Sequence, residues 1–291
     1  MRLVGYEARD GRRIGVLHGN IVVPLGQIDD FFTALPESLE EARSVRARNA
    51  AIDDDETGNV APTRHTLELE SLTLAPPVPT TSRVLCIGLN YARHAAESGK
   101  ELPSKPTIFA RFPSTLTGAG SEVPIPPGDE RLDWEGELAV VIGATLKNVG
   151  PQEANAAILG YTCLNDLSAR GYQHATTQWT LGKNADRTAP AGPVLVTPDE
   201  LGDPYNLNLE TRVNGITMQS GNTSDMIFRA PDILAYISGS MTLLPGDVLS
   251  TGTPEGVGAD RTPPIYLSDG DLVEVEIEGI GALPTRIVRQ R

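Results

Sequence analysis

Histidine, cysteine and lysine are all scarce in this chain: four, two and four residues among 291. Two cysteines, Cys86 and Cys163, are too few for a disulfide framework and fit no C-x-x-C metal spacing. They are expected to be small core residues in a reducing cytoplasm. Histidines scattered at positions 18, 65, 94 and 174 exclude a multi-histidine metal site. No stretch reaches the roughly 20 apolar residues that span a membrane, and the opening MRLVGYEARDGRRIG has no apolar core for a signal peptide. A G-x-S-x-G elbow, a P-loop and a G-x-G-x-x-G turn are missing too, which argues against a serine α/β-hydrolase and against the common nucleotide folds. Positive charge is short as well: 24 Lys and Arg face 38 Asp and Glu, for a net charge of −14. Such a surface repels phosphate backbones, so nucleic acid and anionic membrane are excluded as partners. An acidic protein that takes an anionic substrate must gather its few cations locally.

What is present is a β-rich pattern. LVGYEA, RRIGVLH and IVVPL, separated by Asp10-Gly11 and Gly19-Asn20, predict a small meander. Residues 27–50 read as helix, and IDDDETGN as a solvated loop. The stiff, proline-rich TLAPPVPTTS (73–82) predicts a boundary between a small N-terminal α+β domain (1–75) and a larger, mainly β domain (76–291). Strands are expected at VLCIGL, TIFARF, ELAVVIG, GPVLV, LNLETRVNG, DVLSTG and LVEVEIEGIG. Helices are expected at PQEANAAILGY (151–161) and RAPDILAYISGSM (229–241).

Carboxylates carry the chemical signal. In LDWEGELAVV, Glu135 and Glu137 share one face of a strand, and Asp133 alternates with them. A solvated edge explains such acids as well as a cation does. A third acid, Asp166 in YTCLNDLSARGYQ, completes an all-oxygen set suited to Mg²⁺, Mn²⁺ or Ca²⁺ rather than zinc. In GLNYARHAAESGK a helix from about Asn90 puts His94 and Glu97 at i and i+3, the arrangement of an oriented general base and also of many surface pairs. Lys183 lies in QWTLGKNADRTAPAGP, which reads as a loop. TGTPEGVG (251–258) offers backbone amides to an oxyanion, or is a plain turn.

In order, GLNYARHAAE, PTIFARFPSTLTG, LDWEGELAVVIG, GYTCLNDLSAR, QWTLGK, VNG, MIF, LLPGDVLSTGTPEGVG and GIG resemble the fumarylacetoacetate hydrolase family, from about Val84 to the C-terminus. The resemblance implies a mixed β-roll, a second small domain in front of it, and a homodimer. It implies Glu135, Glu137 and Asp166 as ligands of Mg²⁺ or Mn²⁺, with no ligand role for Asp133. It implies His94, Glu97 and Lys183 as catalytic groups, and Tyr91, Arg111, Arg170, Gln173 and Thr253 as substrate-binding. The chain departs from the pattern at Arg111, where relatives often have lysine, at Gly171, where an acid is frequent, and at Asn184, where serine is common. The reaction implied is hydrolytic C–C cleavage of a 2,4-diketo (acylpyruvate-like) acid by a His-Glu activated water. The same family contains decarboxylases of 2-oxo acids such as oxaloacetate and isomerases of dienol acids. A vestigial, non-catalytic metal binder is the remaining alternative.

Overall fold

Two strands, Gly136–Ile142 and Ile158–Asn165, are buried at every position, as expected where both faces of a sheet are covered. A computed structural model describes residues 1–53 and 66–289, with the backbone alone for 49–53. The two strands pair antiparallel, with Gly136 opposite Asn165 and Glu137 opposite Leu164. Because successive side chains leave on opposite faces, Leu138, Val140 and Ile142 enter one apolar core and Ala139 and Val141 another. Cys163 and Cys86 lie one in each core, buried and free, as expected of small core residues.

Around this pair runs a sheet of twelve strands. On one side Ile158–Asn165 is followed by Ala189–Val196, then by the meander Arg2–Ala8, Gly11–His18 and Ile21–Gln27. On the other side Gly136–Ile142 is followed by Val248–Ser250, Val84–Gly88 and Thr107–Arg111. The meander forms as its turns predict, but Arg2–Ala8 pairs directly with Ala189–Val196. Leu3 and Val16 share a core with Val84, Cys86 and Leu195. The segment before residue 75 is therefore continuous with the rest in both sheet and core. A second sheet of five strands contains Asn208–Val213, Ile216–Asn222, Leu272–Ile277 and Gly281–Val288. The fold is α+β and mainly strand, as the sequence predicts.

Local differences have simple causes. The expected helix over 27–50 is two, Ile28–Thr33 and Leu35–Asp53, divided at Ala34. The expected acidic loop contributes its first two residues to the second helix, and the rest lies outside the described residues. The helix expected over 151–161 stops at Ala156, because Ile158 onward is claimed by the central sheet. Lys183, expected in a loop, ends a short helix, Thr180–Lys183. Among the described residues no helix is long and apolar enough to cross a membrane.

Candidate active site

Glu137 lies near the start of one central strand and Asp166 follows the end of its antiparallel neighbour, so strand pairing brings them to the same end of the sheet. The Asp166 amide donates to the Glu135 carbonyl at 2.8 Å, which fixes the third acid beside them. Ligand oxygens from Glu135, Glu137 and Asp166 all lie within 4.8 Å of one another, and all three residues are buried.

Charge is balanced by residues far away in sequence. Lys183 Nζ donates to Glu135 Oε2 at 2.8 Å and to Asp166 Oδ2 at 2.5 Å. Arg170 joins Asp133, with Nε 2.8 Å from Oδ2, to Glu135, with one terminal nitrogen 2.7 Å from Oε1. Arg111 pairs with Asp166 from behind and also donates to Thr188 Oγ1 at 3.0 Å. Four buried carboxylates thus meet three buried cations. Burial pushes the Glu135 carboxyl up, but Lys183 and Arg170 outweigh it and hold the group well below the usual carboxylate range. Glu137 has no such partner: burial, then the charges of Asp166 and Glu135, push it well above that range. Its Oε2 accepts from Ser250 Oγ at 2.5 Å and from the Gly252 amide at 2.9 Å, which leaves Oε1 for a cation. For Lys183, burial works against the charged form, yet Asp166 and Glu135 keep its proton affinity raised.

A cavity of about 270 Å³ opens over Glu135 and Glu137. Trp179 and Phe109, packed edge to face at 5.4 Å, form one wall, and the Lys183 ammonium lies 5.0 Å from the Phe109 ring centroid. His94 projects from the helix Ala92–Glu97, its Nδ1 3.6 Å from Glu97 Oε2 and 3.8 Å from Asp260 Oδ2. That nitrogen is buried and has no hydrogen-bond partner among the described residues, so either carboxylate can orient the ring after a small shift. Glu97 in turn accepts from the Gly256 amide at 2.9 Å, and Asp260 from Ser98 Oγ at 2.5 Å.

The loop after Val248–Ser250 binds the protein's own acids. Its amides at Gly252, Gly256 and Gly258 are taken by Glu137, Glu97 and Asp133. The expectation that TGTPEGVG offers them to a substrate oxyanion is therefore corrected: its amides anchor the carboxylates that build the site.

The chain matches the family described as "Fumarylacetoacetate (FAA) hydrolase C-terminal" over residues 83–288. It belongs to the fumarylacetoacetate hydrolase family. Among curated relatives it is 43% identical over 224 residues to a human protein named oxaloacetate tautomerase FAHD2A, mitochondrial, covering 76% of this chain and 71% of that one. It is 45% identical over 207 residues to a 2,4-didehydro-3-deoxy-L-rhamnonate hydrolase of a Sphingomonas species, covering 70% and 73% of the two chains. Among solved structures it resembles 2-hydroxyhepta-2,4-diene-1,7-dioate isomerase from Mycobacterium marinum, with a TM-score of 0.76, 32% identity and coverage of 100% and 99%. Like these relatives, the chain is an enzyme.

Of the residues assigned by resemblance, His94, Glu135, Glu137, Arg170, Gln173, Lys183 and Thr253 line the cavity. Glu97 stands behind His94 rather than in the lining. Tyr91 and Arg111, assigned by resemblance to substrate binding, do not line it either. Arg111 is fully buried and its guanidinium is spent on Asp166, the Leu167 carbonyl and Thr188. Tyr91 is buried beneath the helix start, bridged through its backbone to Met226, and its hydroxyl has no partner among the described residues. Gln173 Oε1 accepts from Arg170 at 2.9 Å, leaving its amide donors for a ligand. Thr253 Oγ1 is held between the Gly136 carbonyl and Gln219 Nε2.

Three functional residues escape the sequence reading. Asp260 faces His94 across a separation that no local spacing reveals. Gln219 clamps the Gly136 amide and Thr253 from the second sheet. Asp133, denied a ligand role, caps the Gly258 and Ala259 amides and holds Arg170, so the third acid of the alternating set is structural.

Proposed function

We propose that this enzyme uses a divalent cation to cleave, by hydrolysis, a carbon–carbon bond in a 2,4-diketo acid. One juxtaposition carries the reading: a buried all-carboxylate trio, of which Glu135 and Glu137 line a cavity, and a carboxylate-flanked histidine that lines the same cavity. The donor set fits a hard cation, because three buried acids converge and Glu137 lacks any basic partner among the described residues. Mg²⁺ or Mn²⁺ held by Glu135, Glu137 and Asp166 would supply Lewis acidity toward the oxygens of a 2-oxo acid.

The chain's own residues supply the rest. His94, oriented by Glu97 and Asp260, accepts a proton from water, and that water adds to the distal carbonyl. Lys183 has used two of its three donors on Glu135 and Asp166, so the third is free to stabilise oxyanion charge. As the C–C bond breaks, the electron pair passes to the 2-oxo acid fragment, and protonated His94 returns its proton there. The other product is a carboxylic acid. Phe109 and Trp179 give the cavity an aromatic wall beside Lys183.

A second reading follows from the 43% identical relative: tautomerisation of a short 2-oxo diacid, with His94 moving a proton between carbon and oxygen. Acetylpyruvate and oxaloacetate, assayed in parallel with Mn²⁺ and then with EDTA, separate the two. Hydrolysis predicts metal-dependent loss of enol absorbance with release of pyruvate from acetylpyruvate, and a His94→Ala loss of about 10²–10⁴-fold. Changes in enol absorbance from oxaloacetate without product release would replace the hydrolytic reading with the tautomerase one.

A further inference from the structure

Resting on the reading of the cavity as a 2-oxo acid site, we propose that Lys100 selects substrates that carry a second carboxylate at the end remote from the 2-oxo group.

Lys100 is one of only four lysines in a chain of net charge −14, and it lines the active-site cavity. The other cations lining it are committed. Lys183 is bound to Glu135 and Asp166, and Arg170 to Asp133 and Glu135. Among the described residues no carboxylate is paired with the Lys100 ammonium. Within the lining, Lys100 is therefore the ammonium left for an anionic ligand.

Its position is not left to a flexible tail. The helix that carries His94 and Glu97 ends in a left-handed cap. Gly99 has φ +64°, its amide donates to the Ala96 carbonyl at 3.1 Å, and the Lys100 amide donates to the Ala95 carbonyl at 2.9 Å. This pair of bonds is the Schellman arrangement, and it fixes where residue 100 leaves the helix. Lys100 is thereby tied to the same short helix as the base, beside the cavity mouth.

His174 lines the same cavity, and burial, then the charges of Arg170 and Lys100, hold its proton affinity below the ordinary value. It offers a further hydrogen-bond donor, while Lys100 brings the charge. Asp260, the acid in this part of the lining, already accepts from Ser98 and faces His94. A ligand whose 2-oxo acid end lies at the carboxylate trio would present its far end to Lys100 and His174.

The test is calorimetric binding to the full chain loaded with Mn²⁺, using 2-oxoglutarate and 2-oxopentanoate, which have the same carbon count and differ in the distal carboxylate. Wild type is expected to bind 2-oxoglutarate about fivefold more tightly, the scale of one exposed charge pair. Lys100→Gln should bring the two dissociation constants together by weakening 2-oxoglutarate alone. An unchanged value for 2-oxopentanoate shows that the variant is folded and its cation site intact. Lys147→Gln, which removes the same charge outside the cavity lining, should keep the preference. Equal affinities in wild type, or a preference that survives in Lys100→Gln, would overturn the assignment of Lys100. Failure of both 2-oxo acids to bind the Mn²⁺-loaded wild type would instead overturn the 2-oxo acid reading, and the role of Lys100 with it.

Discussion

Glu137 differs from its two neighbours in forming no ion pair among the described residues, although Lys183 bonds to both Glu135 and Asp166. Without a bound ion this is a strained arrangement, since like charges in a buried site repel strongly. With an ion it is a ligand set. The two states make opposite demands on residue 137, so one substitution separates them. Glu137→Gln keeps an acceptor for Ser250 and Gly252 but removes a carboxyl whose ionised form burial and the neighbouring acids disfavour. The metal-free variant is expected to melt about 2 °C or more above metal-free wild type, while its affinity for Mn²⁺ falls at least about tenfold. Differential scanning calorimetry with and without Mn²⁺ reads both. A variant that melts lower and binds Mn²⁺ as wild type does would refute the ligand role. At this scale the sequence is informative about residue type and silent about pairing. Alternation on a strand reveals that Glu135 and Glu137 share a face, but not that Asp133 turns instead to Arg170 and two loop amides.

Among the elements, the loop of residues 251–260 has the largest influence on the site for its length. It carries Thr253 and Asp260, and its amides hold Glu137, Glu97 and Asp133. Its glycines are needed for close approach. A Cβ on Gly258 would lie 2.0 Å from the Ile265 carbonyl oxygen and 2.6 Å from Asp133 Oδ1. Gly258→Ala must therefore push the loop off Asp133, freeing a buried carboxylate and loosening Arg170. Urea denaturation is expected to show a loss of about 1–3 kcal/mol, and turnover should fall further than the stability loss explains, because Arg170 also contacts Glu135 and Gln173. A stable Gly258→Ala variant with full activity would show that the loop does not position the site. Strands, helices and the order of the motifs were legible in the sequence because they depend on local periodicity. The work of this loop was not, because the amide bonds that hold Glu137, Glu97 and Asp133 each join residues more than 100 positions apart. For the same reason a turn that reads as a substrate cradle proves to be an internal clamp.

For the molecule as a whole, the consequential feature is the continuity of the twelve-stranded sheet from the N-terminal meander to the strands that bear the acids. A proline-rich stretch such as residues 73–82 reads as a boundary between domains, yet Ala75 and Val78 within it are buried, and Val78 shares a core with Leu3, Val84 and Leu195. Arg2–Ala8 is hydrogen-bonded to Ala189–Val196, which pairs with Ile158–Asn165, whose end holds Asp166. Units that share a sheet and a core cannot expose one part's apolar surface without uncovering the other's, so they should unfold together. The chain provides its own probes. Of its two tryptophans, Trp179 lines the cavity and Trp134 is buried next to Glu135 in the chain, so fluorescence reports the site and the core adjoining it. Far-ultraviolet circular dichroism reports all strands, the N-terminal meander included. Coincident midpoints by the two methods in a urea titration are expected, and saturating Mn²⁺ should move both curves upward by the same amount. At a concentration 100 times its dissociation constant, the ion adds about 2.7 kcal/mol to the folded state. An early dichroism transition that leaves fluorescence unchanged and does not respond to Mn²⁺ would mean that the meander unfolds alone, and the shared sheet would not be the cooperative unit.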